Sequence, residues 1–326
     1  MPARRGAVPS QNRHCGTRCW AGLRRRRARD LATTPLLVEL GTEELPPKAL
    51  KSLGLAFRDG ICQGLSEREL GYGEVQWFAS PRRLAVLVRE VDLQAPDKEL
   101  ELLGPPVDRA RDGDGNWTPA ATGFARKQGV EPDQLQQIDT PKGARLGLRR
   151  TEPGVEAGSC ITDIIHDSIQ QLPIPKRMRW GASRVEFVRP VHWVVAMLGD
   201  TTGFGEVLGL PTGNTTRGHR FHSEGTITLT RPEAYEESLE AARVVACFEK
   251  RREMIREQVE TEASALAATA VIDPDLLDEV TGLVEWPVAL TGNFEERFLE
   301  VPAEALVSSM KEHQKYFHLV DGEGNL

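Results

Sequence analysis

A double proline, Pro46–Pro47, separates two apolar patterns of different period near the front of the chain. Before it, Leu36–Leu40 is a short apolar run with Glu39 inside it and Gly41 at its end, the pattern of a strand. After it, Leu50, Leu53, Phe57, Ile61 and Leu65 recur at helical spacing. Proline suits a helix's first turn, where the amide it lacks would have no partner in any case, and Glu43 and Glu44 lie on the favourable side of the helix dipole. Residues 36–65 therefore read as strand, turn and amphipathic helix.

The later elements follow in mixed order. Val75–Phe78 and Leu84–Val88 read as strands joined by a turn at Ser80–Pro81, with Arg82 and Arg83 just after it. Residues 104–119 are dense in Gly, Pro and Asp and read as a long exposed loop. Helices are expected at Ala120–Gln128 and around Asp133–Gln137, and a strand at Arg145–Arg150. Ile161, Ile164, Ile165, Ile169 and Leu172 mark a helix that stops before Pro173. Strands are then expected at Val185–Val188, Val191–Leu198, near Gly205–Leu210 and near Thr226–Thr230. No regular βαβ alternation emerges, which favours α+β over a doubly wound sheet.

The character changes at Pro232. Residues 233–269 hold no Pro or Gly and read as helical, with the apolar cluster Val244–Phe248 dividing one long helix into two. Further helices are expected at Asp275–Thr281 and from Pro302 through Met310, around an apolar segment Val284–Leu290. Lys315–Val320 alternates like a strand and runs into DGEGN, a hairpin turn whose returning strand is missing from the sequence. The expected organisation is a tail over 1–34, an α+β region over 35–231, and an acidic helical and α+β segment over 232–326 that is truncated at its C-terminal end. The last strand is expected to present an unpaired edge.

Charge is segregated along the chain. The formal net charge of −7 averages +8 over residues 1–30, −2 over 31–232 and −13 over 233–326. The Arg-rich tail has no apolar periodicity and reads as disordered. Within it, His14, Cys15 and Cys19 are too few to make a convincing metal site. The five cysteines form no spaced framework, which fits a reducing compartment. No run of 18 apolar residues is present, so no membrane helix is expected.

The most concentrated functional candidate is residues 176–222. Lys176, Arg177, Arg179, Arg184, Arg189, Arg217 and Arg220 face only Glu186, Asp200 and Glu206, with His192, His219 and His222 and the aromatics Trp180, Phe187, Trp193 and Phe221 interleaved. Guanidinium groups bind phosphates and exposed aromatics stack on unpaired bases, so an RNA surface is one reading. The other is that the aromatics are strand core and the cations solvate loops. A metal site at His219 and His222 is disfavoured by the absence of a carboxylate pair and by the adjacent arginines. His166–Asp167 reads as helix surface. No Walker or Rossmann phosphate loop and no serine nucleophile elbow is present, so no ATP or amino-acid activation site is expected in this chain.

The strings LLVELGTEELPPKAL (36–50), VQWFASPRRLAVLV (75–88), LPIPKRMRWG (172–181), FVRPVHW (187–193), RGHRFH (217–222), EVTGLVEWPVAL (279–290) and VPAEALVSSMKEHQKYF (301–317) resemble, in order, the β subunit of bacterial glycyl-tRNA synthetase. The resemblance implies an α2β2 heterotetramer in the cytoplasm that attaches glycine to its specific tRNA. ATP, with Mg, would be used by the α subunit, and this chain would hold no cofactor, no metal and no catalytic residue. Its part would be to bind and orient tRNA, with an HD-like and an anticodon-binding domain falling after Leu326. The mixed-sheet front region is similar to the B3/B4 module of phenylalanyl-tRNA synthetase β subunits. On this reading Arg82, Arg83, Lys176, Arg177, Arg179, Arg217 and Arg220 contact tRNA or the α subunit. The alternative is a non-catalytic RNA-binding or subunit-scaffold fragment.

Overall fold

The computed structural model describes residues 32–141 and 143–326. The Arg-rich tail through residue 31, with His14, Cys15 and Cys19, lies outside them. The protein is α+β, and its residues fall into two compact units, 94–156 and the remainder of the described chain.

The larger unit is organised around a seven-stranded sheet. Strand Thr33–Thr42 sits at its centre, antiparallel to Arg83–Asp92 on one side and to Val191–Leu198 on the other. Val75–Ser80 pairs with 83–92 through the expected tight turn. The short strand Leu210–Gly213 adds in parallel beyond 191–198 and carries Glu206–Val207 at its outer edge. Alternate residues of the central strand serve two buried layers. Leu36, Val38 and Leu40 lie on the opposite face from Leu37 and Glu39, as the period of two requires. Helix Pro47–Glu67 forms as the apolar spacing indicates, and Gly60 and Gly64 let helix Ala157–Gln170 approach it closely. A Cβ at either glycine would fall within 3 Å of Ser168 or Ile164.

The other face of the sheet packs Leu37, Phe78, Leu87, Trp193 and Val195 against Tyr235, Leu239 and Val244. Residues before and after position 232 thus share one core. The segment 233–269 breaks into helices Tyr235–Ala241 and Phe248–Ala265, with the intervening 244–247 buried against the sheet. Arg251 explains why that break is stable: fully buried, it donates to the Thr281, Val245 and Ala79 carbonyls at 3.0, 2.6 and 2.7 Å. Those carbonyls belong to segments that do not continue a helix and would otherwise have no partner.

The smaller unit is an insertion whose ends meet. Ala95 N donates to Val155 O at 2.9 Å, and Gln94 bridges Glu156. Its antiparallel sheet runs in the order Lys98–Pro106, Gly143–Glu152, Gln136–Thr140, with helix Pro119–Gln128 over a core of Ala121, Ala125 and Leu146. Two expectations change here. Residues 98–106 form a strand reaching into the expected loop, with a register break between Leu103 and Pro106 where the prolines lack amides. The helix expected around 133–137 is one tight turn, Pro132–Gln134, followed by the 136–140 strand.

Toward the end of the chain, helix Pro274–Thr281 is capped by the Asp273 side chain, and helix Ala303–Ser309 follows. The strand expected over 315–320 is confined to Leu319–Val320. It pairs with Thr269–Ala270, and DGEGN is held by Asp321 accepting from Glu323 and Asn325 amides. Among the described residues, no helix is long and apolar enough to cross a membrane.

Candidate nucleic-acid interface

The register of the large sheet places Trp193, Gly41, Arg83 and Ser80 in one row across four strands. Gly41 is required there by space: a Cβ would lie 1.8 Å from the Trp193 ring. The indole therefore lies flat over the central strand and forms a floor at one end of the sheet. Arg82, Arg83 and Arg217 all place their guanidinium carbons near this ring, at 5.9, 5.9 and 5.4 Å from its centroid, in the range of cation–π attraction.

Arg83 lies beneath the floor rather than on it. It is fully buried and donates to Glu39 Oε1 at 3.2 Å, Ser80 Oγ at 3.1 Å and the Arg217 carbonyl at 3.0 Å, with Glu285 Oε1 at 3.4 Å. Burial alone would lower its pKa, but Glu285 and Glu39 hold it above the usual value. Burial pushes the Glu39 carboxyl up, against the opposing pull of Arg83 and Thr216. The sequence reading has Arg83 at a contact to tRNA or the α subunit, but the structure places its side chain wholly within the protein. Its donors are directed inward, and its role is to hold the loop that bears Arg217.

Above the floor is a recess of about 320 Å³ lined by Glu43, Arg82, His192, Arg217, His219 and Arg220, among others. Backbone bonds tie its walls together. Thr42 N donates to Arg82 O at 2.8 Å, Glu43 N to Pro190 O at 2.9 Å and Leu45 N to Pro81 O at 2.7 Å, so the TEELPP turn is clamped to both neighbouring strand ends. The 217–223 loop is pinned by His219 N to Ala242 O at 3.0 Å, and Gly218 admits Ala242 and Ser223 at distances no Cβ would tolerate.

The recess is cationic but partly neutralised from within. Arg220 reaches Glu43 Oε2 at 2.7 Å and Glu44 Oε1 at 3.1 Å, and His192 Nε2 lies 2.9 Å from Glu43 Oε1. The hydrogen bond from Arg220 holds the Glu43 carboxyl below its usual range. Burial lowers the His219 pKa, so its ring is predominantly neutral at pH 7. Arg82 and Arg217 form no ion pair among the described residues, which leaves the recess net positive.

The structure thus divides the seven expected contact residues. Arg82, Arg217 and Arg220 come together at the recess, and Arg83 sits below it. Lys176, Arg177 and Arg179 lie on a separate loop, where Arg179 pairs with Glu186 across the short Met178–Arg179 and Glu186–Phe187 ladder and Arg177 donates to Gln170 O at 3.4 Å. Sequence reasoning treated Glu43 and Glu44 only as a helix entry. Their role as counter-ions to Arg220, 177 positions away from Glu43, has no local signature.

The family model for the glycyl-tRNA synthetase beta subunit matches residues 36–326. The chain is 54% identical over 296 residues to the glycine–tRNA ligase beta subunit of Chromohalobacter salexigens and 53% identical over 298 residues to that of Marinobacter nauticus, covering 91% of this chain in both. It is 50% identical over 291 residues to the same subunit from Hahella chejuensis, covering 89% of this chain. It spans 42–43% of the length of these relatives. A match that runs through the central strand, the clamped TEELPP turn, the recess loop and the closing helices identifies the chain as a member of the glycyl-tRNA synthetase beta subunit family.

Proposed function

We propose that this chain is the front part of a glycine–tRNA ligase β subunit that binds and orients tRNA while a partner α subunit attaches glycine. The observation that supports this most directly is the recess lined by Arg82, Arg217 and Arg220, the first two of which lie near the Trp193 ring. Three guanidinium groups around one recess, two of them in no ion pair among the described residues, favour phosphate oxygens over any neutral ligand. ATP, with Mg, is used in the α subunit on this reading, and the complex is an α2β2 assembly in the cytoplasm. The front sheet is taken as the counterpart of the B3/B4 module of phenylalanyl-tRNA synthetase β subunits. Lys176, Arg177 and Arg179 form a second contact, to tRNA or to the α subunit.

The test is charge reversal in the full-length protein paired with its α subunit. Arg217→Glu with Arg220→Glu is expected to weaken glycine-specific tRNA binding by at least about tenfold and to flatten its salt dependence. Charging is expected to fall in parallel. Unchanged tRNA binding and charging would overturn the reading. Lost charging with intact tRNA binding would favour a subunit-scaffold role instead.

A further inference from the structure

Arg82 is only 8% exposed, yet its Nε is buried without a hydrogen-bond partner. Burial and the neighbouring Arg220 both act against its charge. Glu285 and Glu43 support the charge from a distance, but neither forms a close ion pair with Arg82 among the described residues, and Arg82 lines a cavity that opens to solvent. Arg217 flanks the same indole, 5.4 Å from its centroid. At about 320 Å³ the recess has space for about ten waters at roughly 30 Å³ each, more than a phosphate group needs.

The rim supplies a second element. Phe221 is 83% exposed, its ring 6.1 Å from that of His219, which lines the recess and lies 4.4 Å from His222. Burial of the Phe221 ring contributes nothing to the core. A flat exposed apolar face next to a histidine of the recess, which also holds two cations outside any ion pair among the described residues, has the chemistry of a base-stacking platform.

We propose that the recess binds one unpaired nucleotide of an RNA strand, with Arg82 and Arg217 on its 5′-phosphate and Phe221 against its base. This deepens the tRNA-binding reading and rests on it. Every base offers a π-face, so the site discriminates single from double strands rather than one base from another. A paired base is stacked within its helix and cannot reach Phe221.

The experiment uses the full-length protein, a labelled single-stranded RNA of about ten nucleotides and a duplex of the same length. Phe221→Ala is expected to weaken single-strand binding about tenfold and to leave duplex binding within about twofold, whereas Phe221→Trp retains single-strand binding. Arg217→Gln, at an exposed position, is expected to weaken single-strand binding and to reduce its salt slope by about 0.7. Single-strand binding unchanged in Phe221→Ala, or lost equally for duplex, would overturn the proposal. Adenosine 5′-monophosphate displacing the strand at equal concentration would also overturn it, in favour of a free nucleotide. Loss of tRNA binding in the Arg217/Arg220 reversal with no effect of Phe221→Ala would sink this inference and leave the tRNA reading standing. The opposite pair of results would sink the tRNA reading and overturn the assignment of the bound nucleotide to tRNA.

Discussion

Arg83 Nη1 stands 3.2 Å from Glu39 Oε1 in a layer from which both side chains are wholly excluded from water. The same guanidinium holds the Arg217 carbonyl, so a buried ion pair inside the sheet sets the position of a loop at its rim. Removing one partner of a buried pair leaves an uncompensated charge, which costs about 3–5 kcal/mol. Arg83→Met is therefore expected to destabilise the protein by that order, read from urea unfolding. The double change Arg83→Met with Glu39→Gln should recover part of the loss, though Glu285 keeps its own unpaired charge.

Gly41→Ala is expected to be disproportionately harmful for the addition of one methyl. The new Cβ would overlap the Trp193 ring at 1.8 Å, and the central strand, paired on both sides, has little freedom to withdraw. Overpacking of this kind costs about 1–3 kcal/mol or more. Because Arg82 and Arg217 of the recess both pack near the Trp193 ring, RNA affinity should fall even below the unfolding temperature. A binding titration at low temperature separates that effect from global unfolding.

Glu43→Gln should strengthen anion binding. The carboxylate now occupies Arg220 and His192, so it competes with any phosphate entering the recess. A gain of a few-fold in RNA affinity is expected, with a steeper salt dependence because one more cation becomes available. Weaker binding in a salt titration would mean instead that Glu43 is needed to hold Arg220 in place.

Asp278 predicts an acid limit. Burial would raise its pKa, but hydrogen bonds from Lys51 and Arg252 more than offset this, so the carboxyl lies below its ordinary 3.8. A depressed carboxyl contributes stability that is fully present above the unfolded value and is lost as pH falls through the folded one. The loss therefore falls below about pH 3.8. Asp278→Asn should lower the melting temperature near neutrality and show a shallower decline as pH falls below about 3.8. Parallel melting curves for the two proteins across that range would refute the assignment.

Much of the architecture is legible along the chain because it is local. The apolar spacing of Leu50, Leu53, Phe57, Ile61 and Leu65 specifies a helix, and the short unbroken apolar run Leu84–Val88 after a turn specifies a buried strand, whatever each packs against. Val244–Phe248 marks a helix break because five consecutive residues, four of them plainly apolar, cannot all lie on one stripe. Two-residue ladders such as Met178–Arg179 with Glu186–Phe187 are illegible for the opposite reason, since each is defined by its partner. The strand at 98–106, charged and ending in prolines, likewise owes its state to the 143–152 strand beside it.

The arginines divide along the same line. From the sequence alone, Arg82 and Arg83 are adjacent cations after a turn, equally suited to a phosphate. Arg83, the first residue of its strand, faces the buried side, where Glu39 and Glu285 meet it from 44 and 202 positions away, while Arg82 in the preceding turn lies at the recess. Composition and periodicity determined that the chain is α+β, where its principal helices and strands lie, and that cations concentrate near residues 176–222. Which of those cations lack a carboxylate partner was decided only by the tertiary structure, because a counter-ion is a neighbour in space and the register of a sheet, not the order of the chain, selects it.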